Sequence, residues 1–220
     1  MINFEYKEKY NFYDLVNIIK ILRGEGGCPW DIEQTHESIR RNFIEETYEA
    51  VEAIDTKDVA LLREELGDVI LQCVFHASIE TDAGNFDIDD VCDEECRKMI
   101  LRHPHIFSDV KADTADEVLK NWDEIKKKEK GQKTQGETLD SIAKSLPALI
   151  RADKVVSKAS KMGYTKEYDL SKIDLSTEEG IGEALMAVVT AARKLKADPE
   201  QALSDATEKF IADFKTQEIK

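Results

Sequence analysis

EETYEAVEAIDTKDVALLREELGD, residues 45–68, decides the fold of this chain. Within it Glu46 and Glu49 stand three residues apart, as do Glu65 and Asp68, the spacing that sets two side chains on one helix face. Between the pairs, residues 54–58 (IDTKD) supply a break, with Asp58 placed to cap the next helix. Two helices joined so tightly run antiparallel, and both acid pairs then face each other. Four carboxylates converging on one point repel and resist joint ionisation. A hard divalent cation resolves that conflict, and an all-oxygen donor set suits Mg²⁺ or, as a substitute, Mn²⁺. One acid pair at helical spacing is an ordinary solvated face. Two pairs flanking a short turn, with apolar residues on the other faces, point to a metal site.

Outward from this stretch, periodicity predicts helices throughout. Leu15, Ile18, Ile19 and Leu22 recur at helical spacing before Gly24 and the loop GEGGCPW. Thr35 caps a helix whose inner faces carry Ile39, Phe43, Ala50, Val51 and Ile54. The helix from Asp58 bears a wide stripe, Leu62, Leu66, Val69, Ile70, Cys73, Val74 and Ala77, which calls for a four-helix core or a dimer interface. Gly67 in mid-helix costs about 1 kcal/mol relative to Ala, so close approach of another helix or a ligand is expected there. Asp87 caps a further helix that Pro104 ends, and Thr114 opens one carrying Val118, Leu119, Trp122 and Ile125. Residues 131–137 (GQKTQGE) read as a linker, before a helix that ends at Gly163.

With 220 residues, 41% hydrophobic and 35% charged, the chain has material for a soluble core. A net charge of −15 excludes a general nucleic-acid binder, which needs a basic face. The start, MINFEYKEKY, has no apolar core and no stretch approaches a membrane span, so a cytoplasmic protein without membrane contact is expected. Six lysines between Lys120 and Lys133 offer a place for phosphate charge. Cys28, Cys73, Cys92 and Cys96 show no secreted disulfide pattern. A zinc site joining Cys73, His76, Cys92 and Cys96 is disfavoured because these fall among apolar helix positions, which predicts core thiols.

EExxE (Glu45, Glu46, Glu49) followed by ExxD (Glu65, Asp68) resembles the signature of the all-α nucleoside triphosphate pyrophosphohydrolases. CPWDIEQTHESIR (residues 28–40), REELGDVILQCVFHA (63–77) and RHPHIF (102–107) narrow the resemblance to the MazG-type branch. It implies Mg²⁺-dependent hydrolysis of nucleoside triphosphates at the α-β bond, with a nucleotide-pool house-cleaning role and a homodimeric state. Glu46, Glu49, Glu65 and Asp68 are the metal ligands by resemblance. Glu49, with Glu45 and Glu52 beside it, carries the catalytic assignment; Glu45 and Glu52 either orient water or are solvated helix acids. Substrate contacts fall on Lys98, Arg102, His103, Trp122 and Lys126. Trp30 either stacks on a base or anchors its loop. The basic residues near the end of the Asp87 helix equally suit its dipole.

The second half echoes the first. Within EEGIGEALMAVVTAA (residues 178–192), residues 179–192 lie over EELGDVILQCVFHA (64–77), with Gly182 on Gly67 and Glu183 on Asp68. Gly180 stands where Glu65 does, and residues 164–176 contain no EExxE. The expected architecture is therefore all-α, a helical bundle of tandem MazG-like domains with the second shortened and degenerate. Residues 1–130 form the catalytic domain, 131–163 a linker and connecting helix, and 164–220 the degenerate repeat. Two alternatives remain: a catalytically silent helical adaptor, and a carboxylate di-metal bundle, which would need Glu-x-x-His pairs.

Overall fold

The computed structural model describes residues 4–112, 114–129 and 134–218, and these contain helices and no strand. The chain divides into two compact units, residues 1–122 and 123–220. In the first unit, α1 (Phe12–Arg23) opens on a reciprocal cap between Asn11 and Asp14. The chain then doubles back on its own last turn, the Cys28 amide donating to the Leu22 carbonyl at 2.7 Å. That return fixes Gly27, where a Cβ would lie 2.3 Å from the same carbonyl oxygen. A short α2 (Pro29–Glu33) leads into α3 (His36–Thr56), capped by Thr35 and Ser38. Only Lys57, in the left-handed region at φ 59°, and Asp58 separate α3 from α4 (Val59–Ala83), a tighter break than residues 54–58 suggested. Asp58 caps α4 as its sequence position predicts, accepting from the Ala60 and Leu61 amides at 3.0 Å. Next come α5 (Ile88–Arg102), capped by Asp87, α6 (Pro104–Phe107) and α7 (Ala115–Glu129).

α3 packs along α4, and α1 and α5 each pack on α4. Their shared core is Ile19, Ile39, Val74 and Phe75, with Leu15, Leu22, Leu71, Ile79 and Ile88 against it. Arg23 closes one end. Its guanidinium lies 5.1 Å from the Phe75 ring centre and donates to Asp82 at 2.7 Å and to the Asp31 carbonyl at 2.8 Å. Two expectations fail here for one physical reason: this core takes up only part of the apolar surface on α3 and α4. Phe43, Val51 and Ile54 are exposed rather than inward, and Leu66 and Ile70 of the α4 stripe are exposed too. Cys73, Cys92 and Cys96 are exposed, not core thiols, and Cys28 is half-buried. Around Gly67 a Cβ would meet nothing within 4 Å, so among the described residues no helix approaches it closely.

In the second unit α8 (Gln135–Asp140) is capped by Thr134, so residues 134–137 begin a helix and are not linker. Then α9 (Ala148–Lys161), a single 3₁₀ turn (Leu170–Lys172), α10 (Glu178–Lys194) and α11 (Pro199–Glu218) follow. α9 packs on α8, α10 and α11, with Ile142, Ala159, Ala187 and a fully enclosed Val189 inside. Leu185, Val188, Phe210 and Phe214 are exposed. Among the described residues no helix is long and apolar enough to cross a membrane.

Candidate metal centre

The antiparallel α3 and α4 bring carboxylates from both helices together. One oxygen each from Glu46, Glu49 and Glu65 lies within 4.8 Å of the others. Glu65 is buried, Glu46 half-buried and Glu49 exposed. Asp68 is half-buried one turn beyond Glu65, and its negative charge bears on both Glu46 and Glu65. Desolvation first, then the charge of Asp68 and Glu49, raises the Glu46 carboxyl above the ordinary range. Glu65 is raised in the same way, by desolvation, then by Glu49 and Asp68. The donor set is all oxygen, which suits a hard divalent ion.

Neighbouring acids lie off the cluster. Glu45 points to Arg41, whose Nε donates to it at 2.7 Å on an exposed face. Glu52 is exposed, one turn beyond Glu49. Among the expected substrate contacts, Trp30 is 60% exposed on α2, which makes it a surface ring and not a buried anchor. Lys98 pairs with Glu95, and Arg102 is buried at the end of α5. His103 shares its Nδ1 with the Met99 carbonyl at 2.7 Å, and its ring centre lies 6.3 Å from that of Trp122. The Trp122 Nε1 is buried with no hydrogen-bond partner. Lys126 is half-buried on the part of α7 that belongs to the second unit. Lys130 and Lys133 lie outside the described residues, as do the side chains of Lys120, Lys127 and Lys128.

Beside the cluster runs a polar line that motif reading passed over. Along α4, Gln72, His76 and Glu80 continue the face of Glu65 and Asp68 at four-residue steps. His76 Nδ1 lies 2.7 Å from His36 Nδ1, and His36 Nε2 lies 2.5 Å from Glu80 Oε1. The two imidazoles stack 5.0 Å apart at 10°, and the Phe43 ring sits 5.5 Å from His76. The recurrence of Gln72, His76 and Glu80 at i, i+4 and i+8 was the available signal.

The family model for the MazG nucleotide pyrophosphohydrolase domain matches residues 34–107, which include all four predicted metal ligands. The chain is similar to the nucleoside triphosphate pyrophosphohydrolase/pyrophosphatase MazG of Thermotoga maritima, 40% identical over 222 residues, covering 94% of this chain and 85% of that protein. It is similar to the nucleoside triphosphate pyrophosphohydrolase of Escherichia coli K12, 39% identical over 227 residues, covering 93% and 86%. Among solved structures, a MazG-related protein from Thermotoga maritima matches with a TM-score of 0.45 at 30% identity, covering 52% of this chain and 98% of that one.

Proposed function

This chain belongs to the MazG family, and on that footing we propose that it hydrolyses nucleoside triphosphates between the α and β phosphates, releasing monophosphate and pyrophosphate. Relatives about 40% identical over most of their length carry that name. The observation that carries the reading at atomic level is the convergence of Glu46, Glu49 and Glu65 within 4.8 Å, with Glu46 and Glu65 held above the ordinary carboxylate range. Such a cluster demands a cation, and its oxygens fit Mg²⁺ or Mn²⁺. Bound there, the ion would neutralise phosphate charge and lower the pKa of an attacking water.

The chain's own residues supply the rest. Glu65 is a ligand fixed by burial, with Glu46 and Asp68 beside it. Glu49, the exposed member, is positioned to orient and deprotonate water. Glu45 is occupied by Arg41 and Glu52 stands off the cluster, so both take lesser parts in water positioning. Lys98, Arg102, His103 and Trp122 are the proposed substrate contacts of the first unit, and the exposed Trp30 ring is available to stack on a base. We propose for this activity a nucleotide-pool house-cleaning role in the cytoplasm.

A homodimer completes the bundle. Ile44, Tyr48, Val51 and Ile54 make one exposed stripe on α3, and Val59, Leu66, Ile70 and Cys73 another on α4. Burying large apolar side chains is worth about 1.5–3 kcal/mol each, and a second copy would cover both stripes. Sedimentation of wild type against Ile70→Asp tests this: a dimer that becomes a monomer is expected, and a wild-type monomer overturns it.

The activity is tested with a panel of nucleoside triphosphates and Mg²⁺, reading pyrophosphate and orthophosphate separately. Pyrophosphate with monophosphate is the expected result. Orthophosphate alone would place attack at the γ position and overturn the reading. No product from any triphosphate would favour the silent adaptor.

A further inference from the structure

The stripe of α4 that packs into the first unit's core has lost its bulk in α10. Leu71, Phe75 and Ile79 follow one another at four-residue steps, and all three join that core. In the register that sets Gly182 on Gly67, their counterparts are Met186, Thr190 and Lys194. None of these is fully buried, and all three line a cavity of about 220 Å³ that lies wholly within the second unit. Where the first unit seats the buried ring of Phe75, the second has a threonine beside a cavity.

The cavity has the make-up of a small-molecule site, an apolar floor with a few polar groups around it. Val155, Val156 and Ala159 of α9, with Met186, supply the floor. Size limits the guest. An apolar cavity of about 150 Å³ takes up benzene, so this one holds one or two fused rings and not a whole nucleoside triphosphate. Charge narrows it further, because three cations line the cavity, Lys166, Arg193 and Lys194, against one acid, Glu167. The two lysines pair with Glu183 and Glu167 at 2.9 Å, but both pairs are open to solvent. Exposed pairs contribute little, so an anion carried on a buried ring draws both ammonium groups at small cost. Lys166 Nζ also sits 4.7 Å from the Tyr168 ring centre, which keeps its charge at the cavity wall. Thr190 Oγ is spent on the Met186 carbonyl at 2.8 Å, which leaves the lysines as the anion's donors.

We propose that the second unit binds a small aromatic anion, its ring on the apolar floor beside Thr190 and its carboxylate or phosphate between Lys166 and Lys194. The inference stands apart from the triphosphate reading, since no residue of the first unit lines this cavity.

The test uses the full chain labelled with ¹³C at its methionine methyls, the Met186 signal being identified by its loss in Met186→Leu. Indole-3-carboxylate and AMP are the probes, with indole as the ring without charge and inorganic phosphate as the charge without a ring. A saturable shift of the Met186 methyl is expected with at least one probe, at a concentration about tenfold or more below that needed with indole, and none is expected with phosphate. A response to AMP alone supports a nucleoside monophosphate as the guest, and a response to indole-3-carboxylate alone supports an aromatic carboxylate. Thr190→Phe puts back the ring of the first unit and should abolish the shift. The double variant Lys166→Met with Lys194→Met, altered only at exposed residues, should keep the response to indole and bring the anions down to its affinity. A Met186 methyl that ignores both probes at millimolar concentration overturns the proposal, as does indole binding as tightly as the anions. An anion preference that survives the double variant, or a shift that survives in folded Thr190→Phe, overturns it equally. If Thr190→Phe does not fold, the double variant decides.

Discussion

The carboxylate cluster of the first unit and the stretch of the second unit whose sequence echoes it treat negative charge in opposite ways. Glu46, Glu49 and Glu65 are pressed together by α3 and α4, with no cation of the chain bonded to Glu46 or Glu65 among the ion pairs of the described residues, and the carboxyls of Glu46 and Glu65 rise. In α10 the position matching Glu65 is Gly180, where a Cβ would lie 1.9 Å from the Asp174 carbonyl oxygen. No side chain fits there, so no carboxylate can return without moving the loop. Glu183, matching Asp68, takes the Lys166 Nζ at 2.9 Å. In our proposal the first region receives an external cation; in the second, Lys166 supplies one. Gly67 and Gly182, matched in the two sequences, both have open space where a Cβ would sit, so the halves differ in their acids and loops rather than in this helical glycine.

That contrast can be broken most sharply by charge removal. Glu49→Gln should lower kcat on the order of 10³-fold, whereas Glu183→Gln should leave pyrophosphate release at the wild-type level. Equal losses in the two variants would mean that the second unit holds working chemistry. Next in size, Gly180→Ala should destabilise the second unit by roughly 1–3 kcal/mol through overpacking against Asp174, measured by denaturant titration. Gly67→Ala should instead stabilise the first unit by up to about 1 kcal/mol, since the new methyl meets open space and improves helix propensity. A destabilised Gly67→Ala protein would show that a second copy packs tightly over this position.

Metal linkage comes third. Because the folded carboxyls of Glu46 and Glu65 are raised from 4.5, their contribution to stability is fully present below that value and is lost as pH rises through the folded values. Metal-free protein should therefore lose stability from this cluster above about pH 4.5. Millimolar Mg²⁺ should restore it, raising the melting temperature by about two to four degrees per kcal/mol of binding. Glu65→Gln should melt higher than wild type without metal at neutral pH, and respond less to Mg²⁺. An Mg²⁺ shift that survives in Glu65→Gln would place the ion elsewhere. The smallest effect belongs to Lys166→Met. Its pair with Glu183 is half in solvent, so the loss should be small and shrink further in high salt.

Local chemistry made much of this molecule legible in its sequence. Asp58, Thr35 and Asp87 cap helices where their residue types and positions said they would, because capping needs only a side-chain oxygen near the first free amides. The three-residue acid spacing put Glu46, Glu49 and Glu65 together once the turn at Lys57 made α3 and α4 antiparallel. The tertiary structure decided what spacing does not encode, because exposure and close approach depend on what packs opposite. It set Cys73, Cys92 and Cys96 outside the core, turned Glu45 toward Arg41, opened the space at Gly67 and closed it at Gly180. Only the packing of α3 along α4 could join His36 to His76 and Glu80, 40 and 44 residues away, since hydrogen-bond partners across a helix interface are fixed by register and not by composition.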